Sequence, residues 1–180
     1  MKRFLPKSHA MPGGFTMTEL MVTVLIIVAL AAIAFPVGRS VLGKSRSAAC
    51  LSNLRQIGTG LEGYLQDHNQ MMPDWVAGRK TKAEEVPVLE TELASYLPNP
   101  EVFHCPADHE QFERSGCSYI WNTSQNGRHR SKLEFFGKSG NDQRIPLVID
   151  KEDWHGGDPG VNFLYADLSA SSKVQFGVNR

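Results

Sequence analysis

The sequence predicts an α+β fold in which one long amino-terminal helix packs against a small antiparallel sheet. Two observations predict this fold. A strongly apolar run, residues 15–37, continues into an amphipathic segment whose apolar side chains recur every three or four positions as far as Leu65. Segments of strand-like composition, separated by turn-rich stretches, then follow in the last third of the chain. A sheet that covers one face of the helix would bury the apolar sides of both.

The apolar run is long enough to cross a membrane as a helix. Its 23 residues, 15–37, match a hydrocarbon core of roughly 30 Å. From Leu20 onward its only polar side chain is that of Thr23, and one acid, Glu19, stands just before Leu20. Pro36 removes a backbone donor near the end of the run, so we expect a kink there.

The later elements are predicted from composition and from turn residues. We expect a loop at 73–87 and a short helix at 89–98, which Pro98 would end. Four strands are expected, at 117–122, 144–150, 161–167 and 172–178.

Several function classes are not expected. Lys plus Arg equals Asp plus Glu at 19 each, so no overall field attracts nucleic acid, and the basic patch at 127–132 is expected to be a solvated loop. His155 could pair with Asp150 or Asp167, but no serine or cysteine stands in a nucleophile-elbow context, so we do not expect an enzyme.

The stretch "GTGLEG", residues 58–63, matches the G-x-G-x-x-G pattern of dinucleotide-binding proteins. That pattern binds a pyrophosphate only where it follows a strand and opens a helix. Here it falls inside the amphipathic helix. We therefore expect its glycines to permit close packing and not to bind a nucleotide.

The apolar run allows two general interpretations, a plain membrane anchor and a secretory signal peptide. Cleavage after Ala34 would fit the small-x-small pattern of a signal peptidase site. Glu19 fits neither interpretation well. An acid inside a membrane costs about 2.5–3.5 kcal/mol, and the polar segment before the run is long for a signal peptide.

The stretch "GGFTMTEL", residues 13–20, resembles the signature of type IV prepilins and type II secretion pseudopilins. In that family a basic leader ends in glycine, and a carboxylate lies five positions after the glycine, at the start of an apolar helix. The resemblance implies that prepilin peptidase cuts after Gly14 and methylates the new terminus at Phe15. It also implies that Glu19 neutralises the Phe15 amine of its own or a neighbouring subunit during assembly.

The resemblance implies a pilin-like organisation for the whole chain. Residues 1–14 would be the prepilin leader, 15–38 the transmembrane and assembly helix, and 39–180 a periplasmic globular domain. The implied partners are the peptidase, other copies or related pilin subunits, the inner-membrane assembly platform and the lipid bilayer. The alternatives are an anchored periplasmic binding module that does not polymerise and a soluble secreted protein.

Three further blocks are similar to a large bacterial subgroup of pilin-like proteins. They are residues 50–73, the stretch "FHCPAD" at 103–108 and the stretch "HGGDPGVNFLYADL" at 155–168. In the last block, Leu168 stands where that subgroup commonly has glycine.

The chain has three cysteines, which leave several pairings open. The spacing favours a disulfide between Cys105 and Cys117, worth roughly 2–4 kcal/mol. A bond between Cys50 and Cys105 is the alternative pair, and three reduced thiols are a further alternative. A zinc site of His104, Cys105, His109 and Cys117 is also conceivable, although its spacing matches no established zinc pattern.

Four aspartates gather near the carboxy terminus, namely Asp150, Asp153, Asp158 and Asp167. Carboxylate oxygens suit calcium. The resemblance adds that several pseudopilins hold calcium in carboxy-terminal acidic loops. The alternative is a solvated turn in which these residues cap backbone amides.

Overall fold

The computed structural model describes residues 14–156 and 158–175, and of Pro36 and Lys138 it describes the backbone alone. Almost all of the predicted leader and the last residues of the fourth predicted strand lie outside the described residues. The described chain divides into two compact units, one ending at Ser40 and one beginning at Val41.

The first element is one long helix, α1, which runs from Met17 to Asp67 over 51 residues. In the unit that ends at Ser40, α1 is exposed along its whole described length. The helix ends where Asn69 and Gln70 adopt left-handed backbone angles, with φ of 54° and 61°. The Gln70 amide then donates to the Leu65 carbonyl, so the last turn is closed by a backbone hydrogen bond.

Two sheets and two short helices follow in the second unit. The helices are α2 (Leu89–Glu92) and α3 (Gln111–Ser115). The strands are β1 (Tyr119–Trp121), β2 (Glu134–Phe135), β3 (Lys138–Ser139), β4 (Pro146–Asp150), β5 (Phe163–Tyr165) and β6 (Ala170–Ser171). Single 3-10 turns occur at Pro100–Phe103, Thr123–Gln125, Arg130–Lys132 and Asp142–Arg144.

The larger sheet is antiparallel and has the strand order β1-β4-β5-β6. Its central strands are buried on both faces, because β4 and β5 expose almost none of their side chains. Tyr119 of β1 lies opposite Asp150 of β4, which fixes the register at the end of β4. The other two strands, β2 and β3, form a separate hairpin.

The predicted α+β fold is confirmed as a long amino-terminal helix with a small antiparallel sheet. The elements are shorter than predicted: α2 covers four residues of the expected helix at 89–98, and the fourth strand is the two-residue β6, which ends before the stretch 172–178. The hairpin β2–β3 and helix α3 were not predicted.

One apolar face of α1 joins the sheet in a single core within the second unit. Its members on the helix are Cys50, Leu54, Ile57, Leu61 and Leu65, all at most 1% exposed. They cluster with sheet and loop side chains that include Trp75, Trp121, Leu147, Val148 and Leu164. The three- and four-residue spacing of the predicted stripe is therefore the spacing that is buried.

The glycines of "GTGLEG" lie inside α1 and pack closely against the rest of the unit. A Cβ on Gly60 would lie 2.6 Å from Leu97 Cγ, and one on Gly63 would lie 2.9 Å from Tyr96 Cδ1. The expectation that these glycines permit close packing is confirmed.

A tight turn follows β5 even though it contains Leu168. The Leu168 amide donates to the Tyr165 carbonyl, and Leu168 has a φ of 66°. This left-handed conformation favours glycine, so leucine occupies it under strain.

Substituting Gly60 tests the close packing. Gly60→Ala should lower the free energy of unfolding by overpacking, whereas Gly43→Ala should raise it, because a Cβ there meets nothing within 4 Å. We expect the two variants to differ by about 1–3 kcal/mol in urea unfolding of the full chain in detergent. Equal stability of the two variants would contradict the packing of Gly60 against Leu97.

Candidate functional site

The first candidate site is the start of α1, where Thr16 and Glu19 cap the helix reciprocally. The Glu19 amide lies 3.2 Å from the Thr16 hydroxyl, which accepts its hydrogen bond. In return, Glu19 Oε2 accepts from the Thr16 amide at 2.9 Å and from the Thr16 hydroxyl at 2.7 Å. This is a capping box, and the sequence carries its pattern, Thr-x-x-Glu, which we did not use to predict the helix start.

The cap gives Glu19 a local role that is independent of any second subunit. Thr16 stands at the cap position, because α1 begins at Met17. The carboxylate of Glu19 therefore lies in the first turn, where the helix dipole favours a negative charge. Phe15 precedes the cap directly and is 85% exposed. The predicted cleavage site and the predicted assembly residue thus flank one capped helix end.

The apolar run is uncovered in the described structure. Every described side chain from Phe15 to Val37 is exposed. By length and composition, α1 is the one helix of the described chain that could span a membrane, and it lies near the amino terminus. An exposed apolar surface of this length requires lipid or another protein to cover it.

The second candidate site surrounds a disulfide between Cys50 and Cys105, whose Cα atoms are 5.1 Å apart. The predicted bond between Cys105 and Cys117 is wrong, and the alternative pair is present. Cys50 faces the core from α1, and Asn53, one turn later, donates to the His104 carbonyl at 2.7 Å. These contacts bring Cys105 to the helix across 55 residues of sequence, a distance that local spacing does not reveal.

Cys117 is a buried free thiol. Its sulfur accepts a hydrogen bond from the Tyr119 amide at 3.4 Å. Burial, and then the nearby Glu90 carboxylate, raise the pKa of Cys117 well above its usual range, so the thiol stays protonated and unreactive.

A histidine and an aspartate stand beside the disulfide. His155 Nε2 lies 3.5 Å from Cys105 Sγ and 3.2 Å from Asp150 Oδ2. The two side chains are only 5% and 0% exposed. Asp150 Oδ2 also accepts from the Asn162 amide at 2.7 Å, which fixes the carboxylate at the end of β4. The structure therefore brings His155 together with Asp150, one of the two aspartates with which the sequence suggested that it could pair.

The four residues considered as an alternative zinc set do not form a ligand group among the described residues. The one group of three potential metal ligands there is Cys50, Cys105 and His155, with ligand atoms all within 4.8 Å of one another. His104 instead stacks on Phe112 with ring centroids 4.4 Å apart. Of the set of His104, Cys105, His109 and Cys117, only Cys105 belongs to the observed group.

The four aspartates proposed for calcium do not form a ligand group in the described chain. Asp150 is buried beside His155, while Asp153 and Asp158 are exposed. Asp167 Oδ1 accepts from the Ser169 amide at 3.0 Å and from its hydroxyl at 2.6 Å. The alternative interpretation, in which aspartates cap turns, is the one that Asp167 follows.

A groove of about 540 Å³ runs beside the disulfide cluster within the second unit. Lys44 and Ser47 of α1 line one side, and Asp158 and Lys173 are among the residues on the other. His155 forms part of its wall. The groove therefore reaches the residue beside the disulfide, although the side chain of His155 itself is buried.

Comparison of the chain with protein-family models, with curated proteins and with solved structures gives no match.

The cysteine pairing predicts a specific response to reductant. Cys50→Ala should lower the free energy of unfolding by about 2–4 kcal/mol through loss of the disulfide, as should dithiothreitol acting on the unsubstituted chain. Cys117→Ala keeps the disulfide, so it should still respond to reductant, whereas Cys50→Ala should not. Thermal unfolding with and without reductant measures this, and a peptide map that linked Cys105 to Cys117 would contradict it.

Proposed function

We propose that this protein is a structural subunit, a pilin or pseudopilin, of a type IV pilus or a type II secretion pseudopilus. The observation that carries the proposal is the start of α1. Gly14 and Phe15 precede a capped turn that contains Glu19, and the apolar side chains that follow, up to Val37, are exposed. A filament subunit needs each of these features: a cleavage site, a charge that can pair with the new terminus, and a surface that packs on other copies.

The exposed helix supports assembly because its apolar side chains have two possible environments. Before assembly, lipid would cover residues 15–37 in a single crossing of the inner membrane. After assembly, the same side chains would pack on α1 of neighbouring copies. The amino terminus would be cytoplasmic and the unit beginning at Val41 periplasmic, which places the disulfide in an oxidising compartment.

Glu19 supports assembly through its charge. Cleavage after Gly14 would create an amine at Phe15, one helical turn from the carboxylate of Glu19. In an apolar surrounding, that amine needs an opposite charge to offset its lost hydration. Either the same chain or a neighbouring subunit would supply it.

The partners follow from this role: prepilin peptidase, the assembly platform, the lipid bilayer and other pilin subunits. The protein would act mechanically and not as an enzyme. An anchored periplasmic binding module that does not polymerise is the second candidate, and the groove of about 540 Å³ beside His155 is the observation that favours it.

Processing provides the direct test. We expect the mature chain to begin at N-methyl-Phe15, and Gly14→Val to block cleavage, because a branched side chain would crowd the peptidase subsite. Gly38→Val, a glycine substitution beyond the proposed cleavage site, should leave cleavage unchanged. Mass spectrometry of the mature terminus measures this. A terminus at Phe35, or an uncut chain in wild-type cells, would rule the proposal out.

Assembly should depend on the charge of Glu19 more than on its capping role. Glu19→Ala should leave the protein inserted and cleaved but abolish filaments, because the Phe15 amine loses its counter-charge. Glu19→Gln keeps a capping side chain and loses the charge, so its filament yield should fall between those of the unsubstituted chain and of Glu19→Ala. Thr16→Ala removes the capping hydroxyl and keeps the charge, and it should assemble.

Filaments sheared from cells, with membrane fractions assayed in parallel for the cleaved form, measure these yields. A wild-type yield from Glu19→Ala would contradict the charge pair. A loss of filaments in Thr16→Ala equal to that in Glu19→Ala would assign the effect to the cap.

A further inference from the structure

The cluster around the disulfide holds three side chains that together resemble a metal-binding set. Cys50 and Cys105 supply two sulfurs and His155 supplies an imidazole nitrogen, and their ligand atoms all lie within 4.8 Å of one another. Asp150 contacts His155 and lies outside that group. Two thiolates with a nitrogen ligand suit Zn²⁺. The four residues come from α1, from the segment before α3, from the end of β4 and from the turn that follows it, so the fold itself converges on this point.

The distance between Cys105 and His155 already matches one edge of a tetrahedral zinc site. With a Zn–S bond of about 2.3 Å and a Zn–N bond of about 2.0–2.1 Å, tetrahedral angles place sulfur and nitrogen about 3.6 Å apart. The observed separation of Cys105 Sγ and His155 Nε2 is 3.5 Å. The two sulfurs, which are bonded to each other here, must separate before both can bind the ion.

The residues beside the sulfurs also carry buried polar atoms without partners, on the sides of Asp150 and His155 that do not contact each other. Asp150 Oδ1 and His155 Nδ1 are buried, and neither has a hydrogen-bond partner among the described residues. A buried carboxylate with an unpaired oxygen is costly, because the lost hydration is not replaced. A cation beside Asp150 would offset that cost.

We propose that the reduced form of this protein binds one Zn²⁺ ion through Cys50 Sγ, Cys105 Sγ and His155 Nε2, with water as the fourth ligand. Asp150 would orient His155 from behind the three ligands. The chain is synthesised with free thiols, so binding needs no reductant. Zn²⁺ displaces one proton from each thiol, and two Zn–S bonds form as two S–H bonds break.

The zinc form and the disulfide form exclude each other. An external disulfide can oxidise Cys50 and Cys105 by accepting two electrons from their thiolates, and it becomes a dithiol. Once Cys50 and Cys105 are bonded to each other, they no longer bind the ion. Both forms hold α1 against the segment at Cys105, so the metal would keep the two cysteines together before oxidation joins them. This inference concerns the second unit alone and does not depend on the filament role.

Cobalt provides the probe. The full chain is purified in detergent under reducing conditions and titrated with Co²⁺, then with Zn²⁺. We expect one Co²⁺ per chain, seen as a thiolate-to-cobalt absorption band with the visible bands of tetrahedral coordination, and we expect Zn²⁺ to abolish both. The oxidised chain, which carries the Cys50–Cys105 disulfide, should give neither.

Matched variants separate this site from other thiols. Cys50→Ser should abolish the band, and His155→Gln and Asp150→Asn should each weaken binding by at least about tenfold. Cys117→Ser and His109→Gln should bind as the unsubstituted chain does. For the variants that keep both Cys50 and Cys105, peptide mapping after oxidation shows whether the disulfide still forms and hence whether the unit folds. Metal affinities are compared among the variants that pass this check.

Three results would overturn the proposal. They are the absence of the band in the reduced unsubstituted chain, a band that His155→Gln leaves unchanged, and a band that Cys117→Ser abolishes.

Discussion

The two halves of α1 have different surroundings, and the rest of the structure depends on that difference. From Leu20 to Val37, α1 is almost entirely apolar and its described side chains are exposed, whereas from Cys50 to Leu65 one face of it is buried in the core. A helix that is apolar on every side is stable only where lipid or other helices cover it, and a helix with one apolar stripe needs one covering layer. The sheet supplies the covering layer of the second half. The first half is exposed in the described residues and would need lipid or other helices to cover it.

The contact between α1 and the segment at Cys105 fastens the second unit. The disulfide joins two elements that are 55 residues apart, and the Asn53 amide reinforces it with a bond to the His104 carbonyl. Cys105 Sγ lies 3.5 Å from the buried imidazole of His155, which in turn contacts the buried Asp150 carboxylate. A purely structural disulfide needs no such neighbours, since apolar side chains would pack there at lower cost. The polar surroundings of the sulfurs therefore favour a second chemical state of the same residues.

The sequence revealed features that depend on neighbouring residues and concealed those that depend on distant ones. The apolar run and the stripe through Leu61 predicted α1 and its buried face, because helical periodicity is a local property. The capping box of Thr16 and Glu19 is equally local and could have been predicted. The pairing of Cys50 with Cys105 could not, since it depends on how the loop before α3 folds back on α1. The same holds for His155 beside Asp150. The chain turns between them, and no spacing rule indicates which of several aspartates the histidine meets.

The proposed function requires that other copies of this chain, or related pilin subunits, cover the exposed half of α1. Ile27, in the middle of that half, is 64% exposed and is the place to test it. A photo-reactive amino acid introduced there should, on illumination of intact cells, crosslink to α1 of a second copy or of a related subunit and produce a ladder of dimers and higher multimers. A chain that stays monomeric after illumination, with adducts to lipid alone, would contradict the claim and favour the anchored binding module.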